Sequence, residues 1–327
     1  MRILTLLLLA AAVTMANDGA ASTAAGGIQL GHEERISLEK ERLTISVSKI
    51  IVEYEFLNET DKDVTTEVAF PLPAYEATSL DNDLARKIED FHVWVDGHEI
   101  PYRTEARALL GGKDYTARLR EAGIDVASLG HFSDRELEPT FSEDFNRLTA
   151  QQQKQLRNEG LFNEFFPMWE AHVTHHWQQT FPAHKTLRIR HEYAPANGQM
   201  LTGLDDLTQA KPERRHQASF SQWCIEPSLR RKLTALMARD GYSFVSWVDY
   251  VLTTANTWKK PIGDFELIVE RPKPDWSPEQ PISSAKHYAV SFCWAGPVSQ
   301  PDADHFVARA KSFVPTQELS VAFLPDQ

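Results

Sequence analysis

The chain has 327 residues, with 34 basic against 46 acidic side chains and a formal net charge of -12. Its 42% hydrophobic and 24% charged content excludes a mainly disordered chain and leaves room for one large domain or two of average size. The acidic balance argues against general nucleic-acid binding, and two cysteines are too few for a disulfide-dense miniprotein or a four-cysteine zinc site.

The first sixteen residues have the form of a secretory signal. Arg2 supplies the positive start, residues 3–13 are apolar apart from Thr5, and Thr14-Met15-Ala16 puts small residues three and one before a cut between Ala16 and Asn17. The apolar run is short of the ~20 residues a spanning helix needs. No cysteine follows it to carry a lipid. Cleavage removes one Arg and leaves 33 basic and 46 acidic side chains, or -13. The expected product is a periplasmic or secreted protein with no membrane span. Export also places Cys224 and Cys293 in an oxidising compartment, where one disulfide is the default pairing. It would close a loop of about 70 residues and contribute roughly 4 kcal/mol in the chain-entropy account.

Residues 17–27 are small and polar and read as a loose lead-in. From Leu43 the pattern has period two, and Val52, Tyr54 and Phe56 share one face opposite Glu53 and Glu55. A turn over residues 58–63 leads to a second alternating run that stops at Pro71-Leu-Pro73. Asp96-Gly97 between residues 91–95 and 99–102 is a hairpin signal, because both residues tolerate positive φ. Residues 105–122 carry helix formers around Gly111-Gly112, and a second helix is expected over 142–158 with Gly160 after it. Strand patterning returns at His172: Val173, His175, Trp177, Gln179 and Phe181 share one face, His172, Thr174, His176 and Gln178 the other. Leu187, Ile189, His191 and Tyr193 then alternate with charged residues. Residues 195–211 read as loop, and Pro227 opens a short helix with Leu229, Leu233 and Leu236 at helical spacing. Strands are expected over 242–255, 265–269, 287–294 and 319–324, with Asp302 to His305 as a helix start.

These patterns predict a mainly β fold: an antiparallel β-sandwich, as one large or two packed sandwiches, with a helical insertion. The expected divisions are a signal peptide at 1–16, N-terminal strands at 17–104, the helical insertion at 105–165, and returning strands with a β-rich C-terminal part at 166–327.

A set of co-linear motifs carries a family resemblance: Ala16-Asn-Asp18, Ala25-Gly-Gly27, the strand pair from Val52 to Asn58 and from Val68 to Pro73, Trp177-Gln-Gln-Thr-Phe-Pro182, His191-Glu-Tyr-Ala-Pro195, residues 256–265, and Ser291-Phe-Cys-Trp294. Together they resemble the bacterial exported family named domain of unknown function 4424. The resemblance implies a periplasmic or secreted protein and supplies no catalytic residues. A looser likeness, from the sheet ending in Phe-Pro-Leu-Pro73 and the hairpin at Asp96-Gly97, is to vault/inter-alpha-trypsin inhibitor type β-sandwich domains, and bears on fold alone.

Candidate chemistry is sparse. His172, His175, His176, His184 and His191 lie within twenty residues, and His172 and His176 fall on one strand face. With His191 they form the candidate metal set, although their spacing matches no established zinc motif. There is no nucleophile elbow, P-loop or dinucleotide fingerprint. Eight Trp could supply a sugar-stacking platform if two or three shared an exposed face. The leading expectation is therefore a non-enzymatic binding or scaffolding module of the bacterial envelope, with an envelope protein or a glycan as partner and no cofactor. The alternatives are a metal-binding protein or metal-dependent hydrolase built on the histidines, and a glycan-binding sandwich. The ligand and the oligomeric state are open at this level.

Overall fold

The computed structural model describes residues 17–24, 27–77, 89–127, 143–163, 167–203, 220–241, 243–273 and 287–326; the expected signal segment lies outside them. Strands numbered in chain order fall into three sheets. The first has the order β10 (Lys113–Asp114), β9 (Arg103–Leu110), β11 (Glu170–Phe181), β5 (Val64–Pro71), β1 (Gly19–Ala24) and β2 (Gly27–Leu30), with β6 (Tyr75–Glu76) also on β11. The second has eight strands: β17 (Val298–Ser299), β18 (His305–Phe313), β15 (Ile262–Glu270), β3 (Ile36–Ile45), β4 (Ile50–Asn58), β12 (Thr186–Ala194), β7 (Glu89–Val95) and β8 (His98–Glu99). The third is β13 (Asn197–Thr202), β14 (Ser243–Tyr250), β19 (Leu319–Pro325) and β16 (Tyr288–Phe292). All pairings are antiparallel except β15 with β3, so the fold is mainly β, with packed antiparallel sheets and a few short helices.

Alternation explains the packing. Along β4, Ile50, Val52, Tyr54, Phe56 and Asn58 are buried while Glu53 is exposed. The main core draws on all three sheets: Val68, Phe70 and Trp177 from the first, Leu43, Val52 and Phe265 from the second, Tyr250, Val321 and Phe323 from the third. A satellite core gathers Leu119, Phe145, Leu156, Phe162 and Trp169 under the short helices. A third sets Leu233 and Met237 of the helix Pro227–Asp240 against Trp223, Val245 and Leu324. The disulfide Cys224–Cys293 pins the 3-10 turn Phe220–Trp223 to the end of β16.

Several elements differ from the sequence reading. Residues 103–110 form strand β9, because pairing with β11 overrides their helix-forming composition. Gly111 and Gly112, both at positive φ, turn that strand back into β10. Helix begins only at Thr116–Glu121, so the helical excursion is shorter than 105–165. The expected helix over 142–158 is two, Glu143–Asn146 and Ala150–Asn158, the second opened by a capping box between Thr149 and Gln152. Residues 197–202 are strand and not loop, and β14 ends at Tyr250, ahead of a 3-10 turn at Thr253–Thr257. Asp302 does bind the backbone N–H groups of Asp304 and His305, but the chain leaves that turn as strand β18. Residues 17–24 are no loose lead-in. Asn17 and Asp18 are fully buried, and β1 pairs with β5.

Candidate functional site

The candidate metal histidines do not come together. Alternation along β11 sends His172 and His176 to one face, away from Val173, Trp177 and Phe181 in the core. His176 Nδ1 lies 2.5 Å from Glu67 Oε1 across the β5 pairing. His172 Nε2 is 3.7 Å from Glu170, and the residue lines a recess of about 370 Å3 with Glu105 and Arg107. Burial lowers its affinity for a proton, against the pull of Glu170. His191 belongs to the second sheet and points inward, wholly buried. Among the described residues no group of three His, Cys, Asp or Glu side chains has metal-holding geometry. His191 instead shares an aromatic box with His175. Phe91 lies 5.3 Å from His191 and 4.4 Å from His175 between ring centroids. Burial pushes His175 down to about 4, with His191 and His176 adding to the effect, and Thr104 meets its Nδ1 at 2.9 Å. His184 sits on the surface, 2.8 Å from Asp61.

Among the described residues the Trp side chains form no exposed row. Trp169, Trp223 and Trp258 are fully buried, Trp177 nearly so, and Trp294 packs on Phe265 and Phe313. Trp276 lies outside the described residues.

His191 reports a polar cluster inside the main core that sequence reasoning missed. Its Nε2 is 2.9 Å from Asp18 Oδ1. Asn17 donates through Nδ2 to both oxygens of Glu41, at 3.1 and 3.2 Å. The Tyr54 hydroxyl donates to Asn17 Oδ1 and lies 3.3 Å from the Tyr250 hydroxyl. Thr254 donates to the Asn17 carbonyl at 2.7 Å and Trp258 Nε1 to the Asp18 carbonyl at 2.9 Å. Four strands and a 3-10 turn thus close on two residues that stand just ahead of β1. The carboxyl of Asp18 is raised above its ordinary range by burial, with His191 pulling it back. Glu41 is pushed up to about 8, first by burial and then by the charge of Asp18. Burial also pushes the Tyr54 and Tyr250 hydroxyls well up. Such displaced carboxyls can mark catalytic acids. Here every member is sealed from solvent, so no substrate reaches them in this conformation.

The accessible counterpart is the opposite face of the same sheet. An open trough of about 860 Å3 crosses six neighbouring strands, β18, β15, β3, β4, β12 and β7. Strand register writes its surface as two rows. One reads Arg309, Glu266, Arg42, Glu53, Arg190 and Trp94. The other, two residues along, reads Lys311, Asp264, Lys40, Glu55 and Arg188. Charge alternates along both rows until Trp94 ends the first. Glu266 bridges Arg42 at 2.6 Å and Arg309 at 2.5 Å, and Glu55 bridges Lys40 at 3.3 Å and Arg188 at 3.4 Å. Lys311 pairs with Asp264 at 2.5 Å, and the Arg190 guanidinium lies 4.8 Å from the Trp94 ring centroid. Six cations against four carboxylates leave +2 on this face of a chain that carries -12 overall.

The family model "Domain of unknown function (DUF4424)" matches residues 16–322. The chain belongs to this family. No curated protein matches it. Solved structures similar to this DUF4424 chain include a Legionella pneumophila protein described as a "putative nutrient binding protein", at 15% identity and a TM-score of 0.40, covering 94% of this chain and 70% of that one. Another is an M1 zinc metallopeptidase from Deinococcus radiodurans, at 8% identity and a TM-score of 0.26, covering 90% of this chain and 43% of that one. Likeness at these levels assigns no activity to the DUF4424 chain.

Proposed function

We propose that this protein is an exported, non-enzymatic binding module of the bacterial envelope that holds an extended acidic polypeptide segment on the outer face of its eight-stranded sheet. The double row of alternating charge carries the reading. Six strands at ~4.8 Å spacing give the trough a length of about 24 Å, enough for roughly seven residues of extended chain. Its ion pairs are solvent-facing and individually weak, about 0–1 kcal/mol each, so an incoming carboxylate can exchange with a resident one at little cost. The surplus of cations favours an anionic partner over a cationic one, and the field steers its approach. A single Trp in the trough favours a polypeptide over a stacked glycan. The groups most displaced in proton affinity lie sealed in the core, which speaks for binding and against proton-transfer chemistry on this face.

Titrating the purified protein with poly-L-glutamate at low salt tests this, with tryptophan emission as the readout. Binding is expected to saturate, to weaken with added salt, and to fall about tenfold in Arg42→Ala/Arg190→Ala. Equal binding of poly-L-lysine, or no binding of either polymer, would refute it.

A further inference from the structure

Asn17 and Asp18 are the first described residues, and both are fully buried. With Glu41 and Asp18 the cluster holds two buried carboxyl groups, and among the described residues His191 is the one basic side chain hydrogen-bonded to them. The polar inventory is also incomplete. Asp18 Oδ2 and His191 Nδ1 are buried without a hydrogen-bond partner. The Asn17 side chain donates and accepts and its carbonyl accepts, but its backbone nitrogen bonds to no described residue. Two buried carboxyl groups against one imidazole, an unmatched acceptor and an unused nitrogen call for a cation with several N–H donors, because ionising either acid here without a counter-charge is strongly destabilising. The sequence places a peptidase cut at the bond that would free this nitrogen.

We propose that cleavage after Ala16 makes Asn17 the first residue of the mature protein and that its new α-ammonium group is buried in the cluster as the counter-charge to Asp18 and Glu41. Hydrolysis consumes one water. The carboxylate goes to the leader at Ala16, and the amine at Asn17 takes up a proton at neutral pH. Within one residue the α-nitrogen can lie no more than about 5 Å from Nδ2. Since Nδ2 already touches both Glu41 oxygens, the ammonium stays within strong Coulomb range of Glu41. The ammonium carries three donors that turn about the N–Cα bond to seek the open Asp18 oxygen, whereas an uncleaved chain offers a single amide N–H fixed in the peptide plane. Thr254 and Trp258 hold the two carbonyls that follow, so the terminus is clamped and not frayed. The cluster thereby stabilises the processed chain over the precursor, and the native state is completed only after export.

The test uses the exported protein in four forms: unaltered, with one Gly inserted between Ala16 and Asn17, and each of these again with Glu41→Gln. Intact mass and N-terminal sequencing are expected to give Asn17 for the unaltered chain; any other first residue overturns the proposal. The Gly insertion, cleaved after Ala16, moves the ammonium by about 3.8 Å. It is expected to lower Tm by about 5–10 °C. With Glu41→Gln that gap should shrink to less than half, because the charge to be matched is gone. A gap of the same size in both backgrounds means a steric cost only and overturns the proposal, as does no gap. If the inserted form does not fold, acetylation of the unaltered protein decides. The α-amine is expected to react at least about 100-fold slower than in the urea-unfolded chain, and a rate like that of surface lysines would overturn the burial.

Discussion

Glu41 gives the sharpest handle on the buried cluster. With a peptide or displaced amine ahead of Asn17, burial pushes Glu41 up to about 8, while in the unfolded chain it ionises near 4.5. Between those limits the folded protein keeps a proton that the unfolded chain releases. Stability from this group is therefore full below about pH 4.5 and is lost as pH rises through about 8, by up to about 5 kcal/mol in total. The other titratable groups around it are Asp18, Tyr54, Tyr250 and His191. The tyrosines are pushed up and stay neutral throughout, and Asp18 is raised with the same sign as Glu41. Comparing each chain with its own Glu41→Gln variant isolates Glu41 from the rest. Urea unfolding at pH 4, 5, 6, 7, 8 and 9 is the assay. For the Gly-inserted chain, the variant is expected to gain on its parent by several kcal/mol between pH 4.5 and 8. For the Asn17-terminal chain the gain is smaller, because an adjacent ammonium favours the carboxylate and lowers the folded-state value. Parallel profiles for parent and variant in the inserted chain would refute the reasoning, since Glu41 would then not be holding a proton in the core.

Removing the disulfide with Cys224→Ser/Cys293→Ser frees a loop with a sequence separation of 69 and is expected to cost about 4 kcal/mol in urea unfolding, without loss of the strand signal in circular dichroism. His175, held down to about 4 by burial, contributes stability that is present above about pH 6.5 and is lost as pH falls towards 4, by up to about 3 kcal/mol; His175→Phe should abolish that part of the acid slope. Gly263→Ala would place a Cβ 2.6 Å from the Glu39 carbonyl oxygen, where β3 is bulged between Leu38 and Lys40, and is expected to destabilise by about 1–3 kcal/mol in the same assay.

The legible parts of the fold were those where side-chain pattern and local chemistry agree. Val52, Tyr54 and Phe56 alternate with glutamates and are buried as the period requires. Asp96-Gly97 takes positive φ at both residues and turns β7 into β8. Pro227 stands in the first turn of its helix. Strand β9 was hidden because Ala106, Ala108, Leu109 and Leu110 are helix formers whose pairing partner, β11, lies more than sixty residues away. Strand β18 was hidden because alanines fill its inward positions 308 and 310 and give a weak alternation. The buried cluster had no local signal. Asn17 and Asp18 look like polar lead-in until Glu41, Tyr54, His191, Thr254 and Trp258 are brought around them from across the chain. The trough was half legible: its charged residues are visible as the exposed half of each alternating run, but the order of signs follows from strand pairing, which no single strand reveals.

The two sites are consequences of one constraint. In β3, Lys40 and Arg42 face the trough while Glu41 between them faces the core; in β4, Glu53 and Glu55 face outward and Tyr54 inward. A slip of either strand by one residue would exchange its faces, burying Lys40 and Arg42 while exposing Glu41, or burying Glu53 and Glu55 while exposing Tyr54. The charge ladder outside and the acid with its clamp inside both reject that slip, the first because it would set charges among apolar neighbours, the second because it would leave Asn17 without Glu41. Register here is thus fixed from both faces. This constraint predicts that Glu41→Leu, which suits the core by volume and charge, removes the inward half of that specification. Such a variant should gain stability at high pH yet lose the protection of the Asn17 amine, and a variant that kept the amine protected would show that Thr254 and Trp258 suffice to seat the terminus without the acid.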